Sequence, residues 1–166
     1  MKKYLNILFY GIITLLLMTK IPGIYKNFSA QNKLAPVATL KRLSGEEIGF
    51  PIPNQKTIVV FWATWCGPCK IELNRLNQMM ADGAIKSNQL LAVSIQESAE
   101  TVNTFLEKNP YQFLIALDQS GLVAEKYNVQ GTPTVVFLDE NGKVEWITTG
   151  LSPTLELRVK NFLKNF

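Results

Sequence analysis

The feature that most constrains this chain is a buried strand that runs directly into two closely spaced cysteines. Residues 57–63 (TIVVFWA) are an unbroken run of β-branched and aromatic residues, typical of a strand covered on both faces of a sheet. Cys66 and Cys69 follow, separated by Gly67 and Pro68. Apolar residues recur at helical spacing from Pro68 onward, so the pattern places the cysteines where a strand ends and a helix begins.

This position of the cysteine pair indicates redox chemistry. At a helix N-terminus, unpaired backbone N–H groups and the helix dipole stabilise a thiolate, so Cys66 is the predicted nucleophile. Cys69 lies one turn further on and faces the apolar stripe of the helix. We therefore expect Cys69 to be less exposed than Cys66, and to be the resolving thiol that attacks a mixed disulfide formed on Cys66.

Composition narrows the alternatives. The chain has no histidine, which excludes Cys-His nucleophile pairs and His-based zinc sites. Its 2 cysteines cannot complete a four-ligand zinc site, so no metal is predicted, and no cofactor is predicted either. Two buried structural cysteines are a further alternative, but Gly67-Pro68 between them favours a tight exposed turn.

The N-terminal part of the chain has the layout of a secretory signal or a membrane anchor. Lys2 and Lys3 precede an apolar run over residues 5–18, which Lys20 closes. The run is as long as a signal-peptide core, but residues 27–30 place bulky side chains where a cleavage site needs small ones. An uncleaved anchor is therefore narrowly favoured over a cleaved signal.

Charge separates this leader from the rest of the chain. All 13 Asp+Glu residues lie beyond residue 30, and the 17 Lys+Arg residues include four before it, so the remainder is electrically neutral. Nucleic acid is therefore not a predicted partner. The expected organisation is an anchor or signal over residues 1–20, a linker over 21–35 and one domain over 36–166. The lysines at the N-terminus favour export of that domain across a bacterial inner membrane, with a single membrane-spanning segment.

Strands and helices alternate along the predicted domain. Strands are predicted over residues 37–43, 47–52, 57–63, 89–95, 113–117, 134–138 and 143–148, and helices over residues 68–81, 98–108, 119–127 and from 152 onward. A turn at Ser44-Gly45 joins the first two strands into a hairpin. Ser152 is predicted to cap the last helix, with Pro153 at its first position. This order predicts an α/β fold with a central mixed sheet flanked by helices and an N-terminal hairpin.

Two motifs carry a family resemblance. Residues 61–70 (FWATWCGPCK) resemble the active-site signature of the thioredoxin superfamily, and residues 131–134 (GTPT) resemble its cis-proline loop. The leader, the hairpin and Glu72, three residues past the second cysteine, narrow the resemblance to exported TlpA/ResA-like thiol-disulfide oxidoreductases. The resemblance covers residues 36–166. It implies a thioredoxin fold and a protein-disulfide oxidoreductase that reduces exported proteins, often in cytochrome c maturation.

The resemblance also implies where substrate is bound. Pro133 is expected to be cis and to pack against the cysteine turn, leaving backbone beside Thr132 free to pair with an extended substrate segment. The alternative is an ordinary trans proline that opens the next strand. The predicted substrate-binding residues are Trp65, Gly67, Pro68, Thr132 and Pro133.

Glu72 is predicted to exchange a proton with Cys69. It is expected on the flank of the apolar stripe, where a partly buried carboxylate has a raised pKa. Cytosolic thioredoxins have a buried aspartate at the position of Val60, and Glu72 is expected to replace it in handling protons. The alternative is a solvated glutamate on the helix surface.

The expected partners follow from this activity. They are protein disulfide substrates, an upstream thiol donor and, through the leader, the membrane; the domain is expected to be a monomer. Two alternatives remain open: a disulfide oxidase of the same fold, and a non-catalytic chaperone-like module that holds unfolded chains in the cis-proline groove.

Overall fold

The computed structural model describes residues 9–12, 14 and 31–164. Its strands form a mixed seven-stranded sheet of order β2-β1-β5-β4-β3-β6-β7. The strands are β1 (Ala38–Arg42), β2 (Glu47–Phe50), β3 (Thr57–Trp62), β4 (Leu90–Ile95), β5 (Leu114–Asp118), β6 (Thr134–Leu138) and β7 (Val144–Thr149). The helices are α1 (Gly67–Ala81), α2 (Ala99–Lys108), α3 (Leu122–Lys126) and α4 (Leu155–Lys164), with a 3₁₀ turn at Ser87–Gln89.

Strand β3 is the centre of the sheet and leads into the cysteine motif. It pairs in parallel with β4 and antiparallel with β6, and all six of its residues are buried. Val60 and Trp62 face the core beneath α1, α2 and α4, whereas Phe61 faces the core formed with the hairpin and α3. Burial on both faces explains why the sequence of this strand is continuously apolar.

Helix α1 follows directly and is fixed by its inner face. Its buried residues are Cys69, Glu72, Leu73, Leu76, Met79 and Met80. Each fully buried leucine contributes about 1.5–3 kcal/mol of hydrophobic free energy, which holds the helix against β3. Asp82 caps the helix, and Gly83 adopts φ +75°, where a residue without Cβ is favoured.

The predicted hairpin and the mixed sheet with flanking helices are confirmed, but two helices begin later than expected. The last helix begins at Leu155, and Ser152 lies before it in a turn, where its carbonyl accepts the Leu155 N–H at 3.3 Å. The residue directly before the helix is Thr154, so Ser152 is not its cap as predicted. Helix α3 begins at Leu122 because Gly121 is left-handed and the Asp118 carboxylate accepts a hydrogen bond from a helical N–H.

Residues just before the predicted domain boundary contact the sheet. The backbone N–H of Asn32 donates to Val144 O at 2.7 Å, and that of Ala35 donates to Gly142 O at 2.9 Å. Ala35 is buried. Residues 32–35 of the predicted linker therefore pair with the β6–β7 hairpin.

Most of the leader lies outside the described residues. The described residues of the leader, 9–12 and 14, are helical. In the described part of the chain, no helix has the length and apolar character needed to cross a bilayer. The predicted anchor over residues 1–20 and the cleavage region at 27–30 therefore remain predictions.

Candidate active site

A tight turn connects β3 to α1 and presents the cysteines. The N–H of Cys66 donates to Ala63 O at 3.1 Å, which closes the turn. Trp65, within this turn, is 74% exposed. Gly67 and Pro68 are exposed in the first helical turn, where a proline is compatible with a helix start. The turn therefore brings an exposed indole and the two exposed motif residues next to the cysteine pair.

The cysteines form a disulfide at the N-terminus of α1. Cys66 is the N-cap, in an extended conformation (φ −80°, ψ 104°), and its Sγ accepts the Cys69 N–H at 3.2 Å. The Cys66 and Cys69 sulfurs are 2.01 Å apart. The helix provides an N–H donor at the position where a Cys66 thiolate forms on reduction, and it has no acidic residue in its first turn.

The two cysteines differ less in exposure than expected. Cys66 is 4% exposed and Cys69 is 0% exposed. The order agrees with the prediction, and both cysteines are buried in the oxidised form. The Cys66 sulfur lies in the bridge, against the backbone of the first helical turn.

Glu97 braces the turn, and no sequence pattern identified it. Its carboxylate accepts hydrogen bonds from the Thr64 N–H (2.9 and 3.1 Å), the Thr64 hydroxyl and the Ser94 hydroxyl (2.7 Å). Gln96, the residue before it, has φ +55°, a backbone conformation that turns the chain sharply after β4. The end of β4 is thereby tied to the turn that holds Trp65.

The Thr132-Pro133 peptide bond is cis, as the resemblance implies. In the antiparallel pairing of β3 with β6, Phe61 is opposite Thr134. Pro133 therefore lies beside the end of β3 from which the cysteine turn leaves. Pro133 is buried, and its carbonyl accepts the N–H of Gly150 at 2.7 Å. Thr132 is half-buried, and its backbone has no hydrogen-bond partner among the described residues.

Glu72 is fully buried beneath the first turns of α1. Its side chain is 0% exposed, so the expectation of a partly buried carboxylate understates its burial. Oε1 accepts the Ser152 N–H at 2.7 Å, and Oε2 accepts Arg75 Nη1 at 3.0 Å. Burial raises the pKa of Glu72, and the bonds from Ser152 and Arg75 partly oppose that rise. The alternative of a solvated surface glutamate is wrong.

Comparison with known proteins assigns the family. A sequence model described as the AhpC/TSA family matches residues 31–147, more than half of the chain. The chain belongs to the AhpC/TSA family. Similar proteins include Sporulation thiol-disulfide oxidoreductase A of Bacillus subtilis, which is 31% identical over 137 residues, covering 81% of this chain and 83% of that protein. Thiol-disulfide oxidoreductase ResA of Geobacillus thermodenitrificans is 32% identical over 158 residues, covering 90% of this chain and 91% of that protein.

A solved structure agrees with these sequence matches. The crystal structure of StoA from Bacillus subtilis superposes with a TM-score of 0.64 at 28% identity, covering 79% of this chain and 98% of that one. The thioredoxin-like α/β fold predicted from the sequence is confirmed. This AhpC/TSA family member is a thiol-disulfide oxidoreductase, and the Cys66–Cys69 pair at the N-terminus of α1 is consistent with that activity.

Proposed function

We propose that this protein reduces disulfides of exported proteins, with Cys66 as the nucleophile and Cys69 as the resolving thiol. The observation that carries the proposal is the position of Cys66 as N-cap of α1, where its sulfur already accepts a helical N–H. A thiolate at that atom is stabilised by the same donor and by the helix dipole. Gly67-Pro68 supports reduction rather than oxidation through its resemblance to the reducing members of the superfamily.

The proposed exchange has two steps. The Cys66 thiolate attacks one sulfur of the substrate disulfide, forming a mixed disulfide and releasing the other substrate sulfur as a thiolate. Cys69 then loses its proton and attacks Cys66 Sγ, which forms the Cys66–Cys69 bond and releases the second substrate thiolate. Two electrons pass to the substrate, and an upstream thiol donor must reduce the enzyme again.

Substrate binding is proposed at the turn and the cis-proline loop. The unpaired backbone of Thr132 offers hydrogen bonds to an extended substrate segment. The exposed Trp65 offers apolar contact on the other side of the cysteine turn. Gly67 and Pro68 are exposed between the two cysteines and are proposed to contact the substrate there.

Glu72 is proposed to accept the proton of Cys69 in the second step. The two residues are three apart on the buried face of α1, so their side chains are neighbours along the helix. Val60, in the adjacent strand, is fully buried and apolar and offers no proton acceptor. Glu72 is the buried carboxylate on that face, and its burial raises its pKa, which makes it a stronger proton acceptor once it is ionised.

Trapping of a substrate tests the two cysteine roles. In Cys69→Ala, Cys66 still attacks substrate but nothing resolves the product, so a stable mixed disulfide with exported proteins is expected on non-reducing gels. The matched Cys66→Ala variant keeps Cys69 and is expected to trap nothing. Equal trapping by both variants would show that the roles are not divided in this way.

Alkylation of the reduced protein gives a second check on the same asymmetry. We expect iodoacetamide near neutral pH to modify Cys66 at least about tenfold faster than Cys69, because Cys66 is the N-cap of α1 whereas Cys69 is fully buried on the inner face of the helix. The modified positions are read by peptide mass spectrometry over a time course. Equal rates at the two cysteines would contradict the assignment of the nucleophile.

The location of the domain is also a proposal. We place it outside the cytoplasm, tethered by an uncleaved segment within residues 1–20. A reporter enzyme that is active only after export, fused behind Phe166, is expected to be active, and the protein is expected to stay in the membrane pellet in alkaline carbonate. A soluble mature form beginning near Gln31 would replace the anchor with a cleaved signal, and an inactive fusion would place the domain inside the cell.

A further inference from the structure

Arg75 joins three elements around the buried carboxylate of Glu72. Its Nη1 donates to Glu72 Oε2 at 3.0 Å and to Ser152 O at 2.8 Å, and its Nε donates to Glu156 Oε1 at 3.2 Å. The Arg75 side chain is 25% exposed, whereas that of Glu72 is fully buried. The guanidinium therefore connects α1, the segment before α4 and α4 itself, with one end in the interior and the other in solvent.

The same contacts reach the proposed substrate loop. The Ser152 N–H donates to Glu72 Oε1, the oxygen that Arg75 does not bind. The N–H of Gly150, two residues earlier, donates to Pro133 O. Residues 150–152 therefore bind the cis-proline loop at one end and the Glu72–Arg75 pair at the other. A planar guanidinium can hold a carboxylate and a carbonyl together, which a lysine ammonium does with less geometric precision.

We propose that Arg75 is a positioning residue. Its guanidinium holds the Glu72 carboxylate on the buried face of α1 in the ionised form, which can accept a proton from Cys69. This inference rests on the proposed role of Glu72. Burial alone favours a protonated Glu72, which could accept nothing, and the adjacent cation opposes burial. Arg75 would thereby extend the resolving step to lower pH.

The charged groups that face Glu72 within residues 31–164 enter this balance. On α1 these are Arg75 and, once the disulfide is reduced, the Cys69 thiol. On α4 it is Glu156, whose negative charge raises the pKa of Glu72. The segment before α4 contributes the neutral N–H of Ser152. The charges of Arg75 and Glu156 therefore shift the pKa of Glu72 in opposite directions. Removing one charge or the other is expected to have opposite effects on that pKa.

The direct test is the titration of Glu72 itself in the reduced full-length protein in detergent micelles. The carboxyl carbon is followed by NMR with ¹³C-labelled glutamate, and the Glu72 signal is assigned by its loss in Glu72→Gln. Arg75→Met is expected to move the titration midpoint to higher pH, Arg75→Lys to move it less, and Glu156→Gln to move it to lower pH. Arg42→Met removes an arginine from an exposed ion pair in the hairpin and is expected to leave it unchanged.

The kinetic test reads the consequence. Thionitrobenzoate is attached to Cys66, and its release by Cys69 is followed in single turnovers from pH 5 to 9. Arg75→Met is expected to slow release of thionitrobenzoate about tenfold at pH 6. Full loss of acid-base assistance costs more, about 10²–10⁴-fold. The difference between Arg75→Met and wild type should shrink as pH rises, and Arg75→Lys should restore most of the rate.

The two proposals fail in different ways. A Glu72 midpoint that is the same in Arg75→Met and wild type overturns the role of Arg75. A second outcome is that the Glu72 midpoint moves in Arg75→Met, but neither Arg75→Met nor Glu72→Gln changes the rate of thionitrobenzoate release. This outcome overturns proton transfer by Glu72, and with it the proposed effect of Arg75 on the resolving step. An Arg75→Met effect on release that persists in the Glu72→Gln background shows that Arg75 acts by another route and also overturns the proposal.

Discussion

Replacing Cys66 by serine is expected to reduce disulfide exchange to the rate measured without protein. A serine hydroxyl does not ionise near neutral pH and cannot form the mixed disulfide, so the first step is removed rather than slowed. The fold should be kept, because serine is a favoured N-cap and its oxygen can accept the same N–H from Cys69. The measurement is reduction of a model protein disulfide by the pre-reduced enzyme.

The matched control is Cys69→Ser. It keeps the nucleophile, so it is expected to consume one substrate disulfide per molecule, accumulate as a mixed disulfide and stop. A Cys66→Ser, Cys69→Ser double variant that kept full biological activity would contradict the redox account, and it would favour a chaperone-like binding module that uses the cis-proline groove.

Glu72→Gln is expected to slow the resolving step by about 10²–10⁴-fold near neutral pH, the usual worth of general acid-base assistance. The amide keeps the size of the side chain and an oxygen for the Ser152 N–H, but it cannot take a proton. Formation of the mixed disulfide at Cys66 should be unchanged. Single-turnover kinetics with a bound leaving group separates the two steps.

The pH dependence of this effect has a definite sign. Burial raises the pKa of Glu72, so the wild-type carboxylate becomes available as pH rises through that raised value, and the wild-type resolving rate should rise with it. The variant lacks this rise. At higher pH Cys69 ionises without help, so the two rates should converge. Wild-type rates for Glu72→Gln from pH 5 to 9 would leave Glu72 as a structural link between α1 and the segment before α4.

The parts of the fold that were predicted from sequence depend on neighbouring residues. The apolar run of β3, the Gly67-Pro68 turn and the helical spacing after it are local patterns, and they place Cys66 at the start of α1. The family resemblance supplied the cis bond at Pro133, which composition alone would have left as an ordinary trans bond.

The parts that were missed depend on contacts between distant segments. Glu97 binds Thr64 from 33 residues away, and no spacing rule connects them. Ser152 was predicted as a helix cap, but the helix starts three residues later, and the Ser152 N–H instead donates to Glu72, a partner 80 residues away in the sequence. Arg75 appears in the sequence as one of many helical cations, and only packing shows that it joins three elements.

The most direct test of the central claim is the equilibrium of the Cys66–Cys69 pair with glutathione. The fraction of oxidised protein is measured by thiol trapping across a series of glutathione redox ratios, and it gives the reduction potential of the pair. A protein that reduces disulfides is predicted to have a value near that of thioredoxin, about −270 mV. A value near that of a strong disulfide oxidant, about −120 mV, would contradict the account and assign the same cysteines to oxidation.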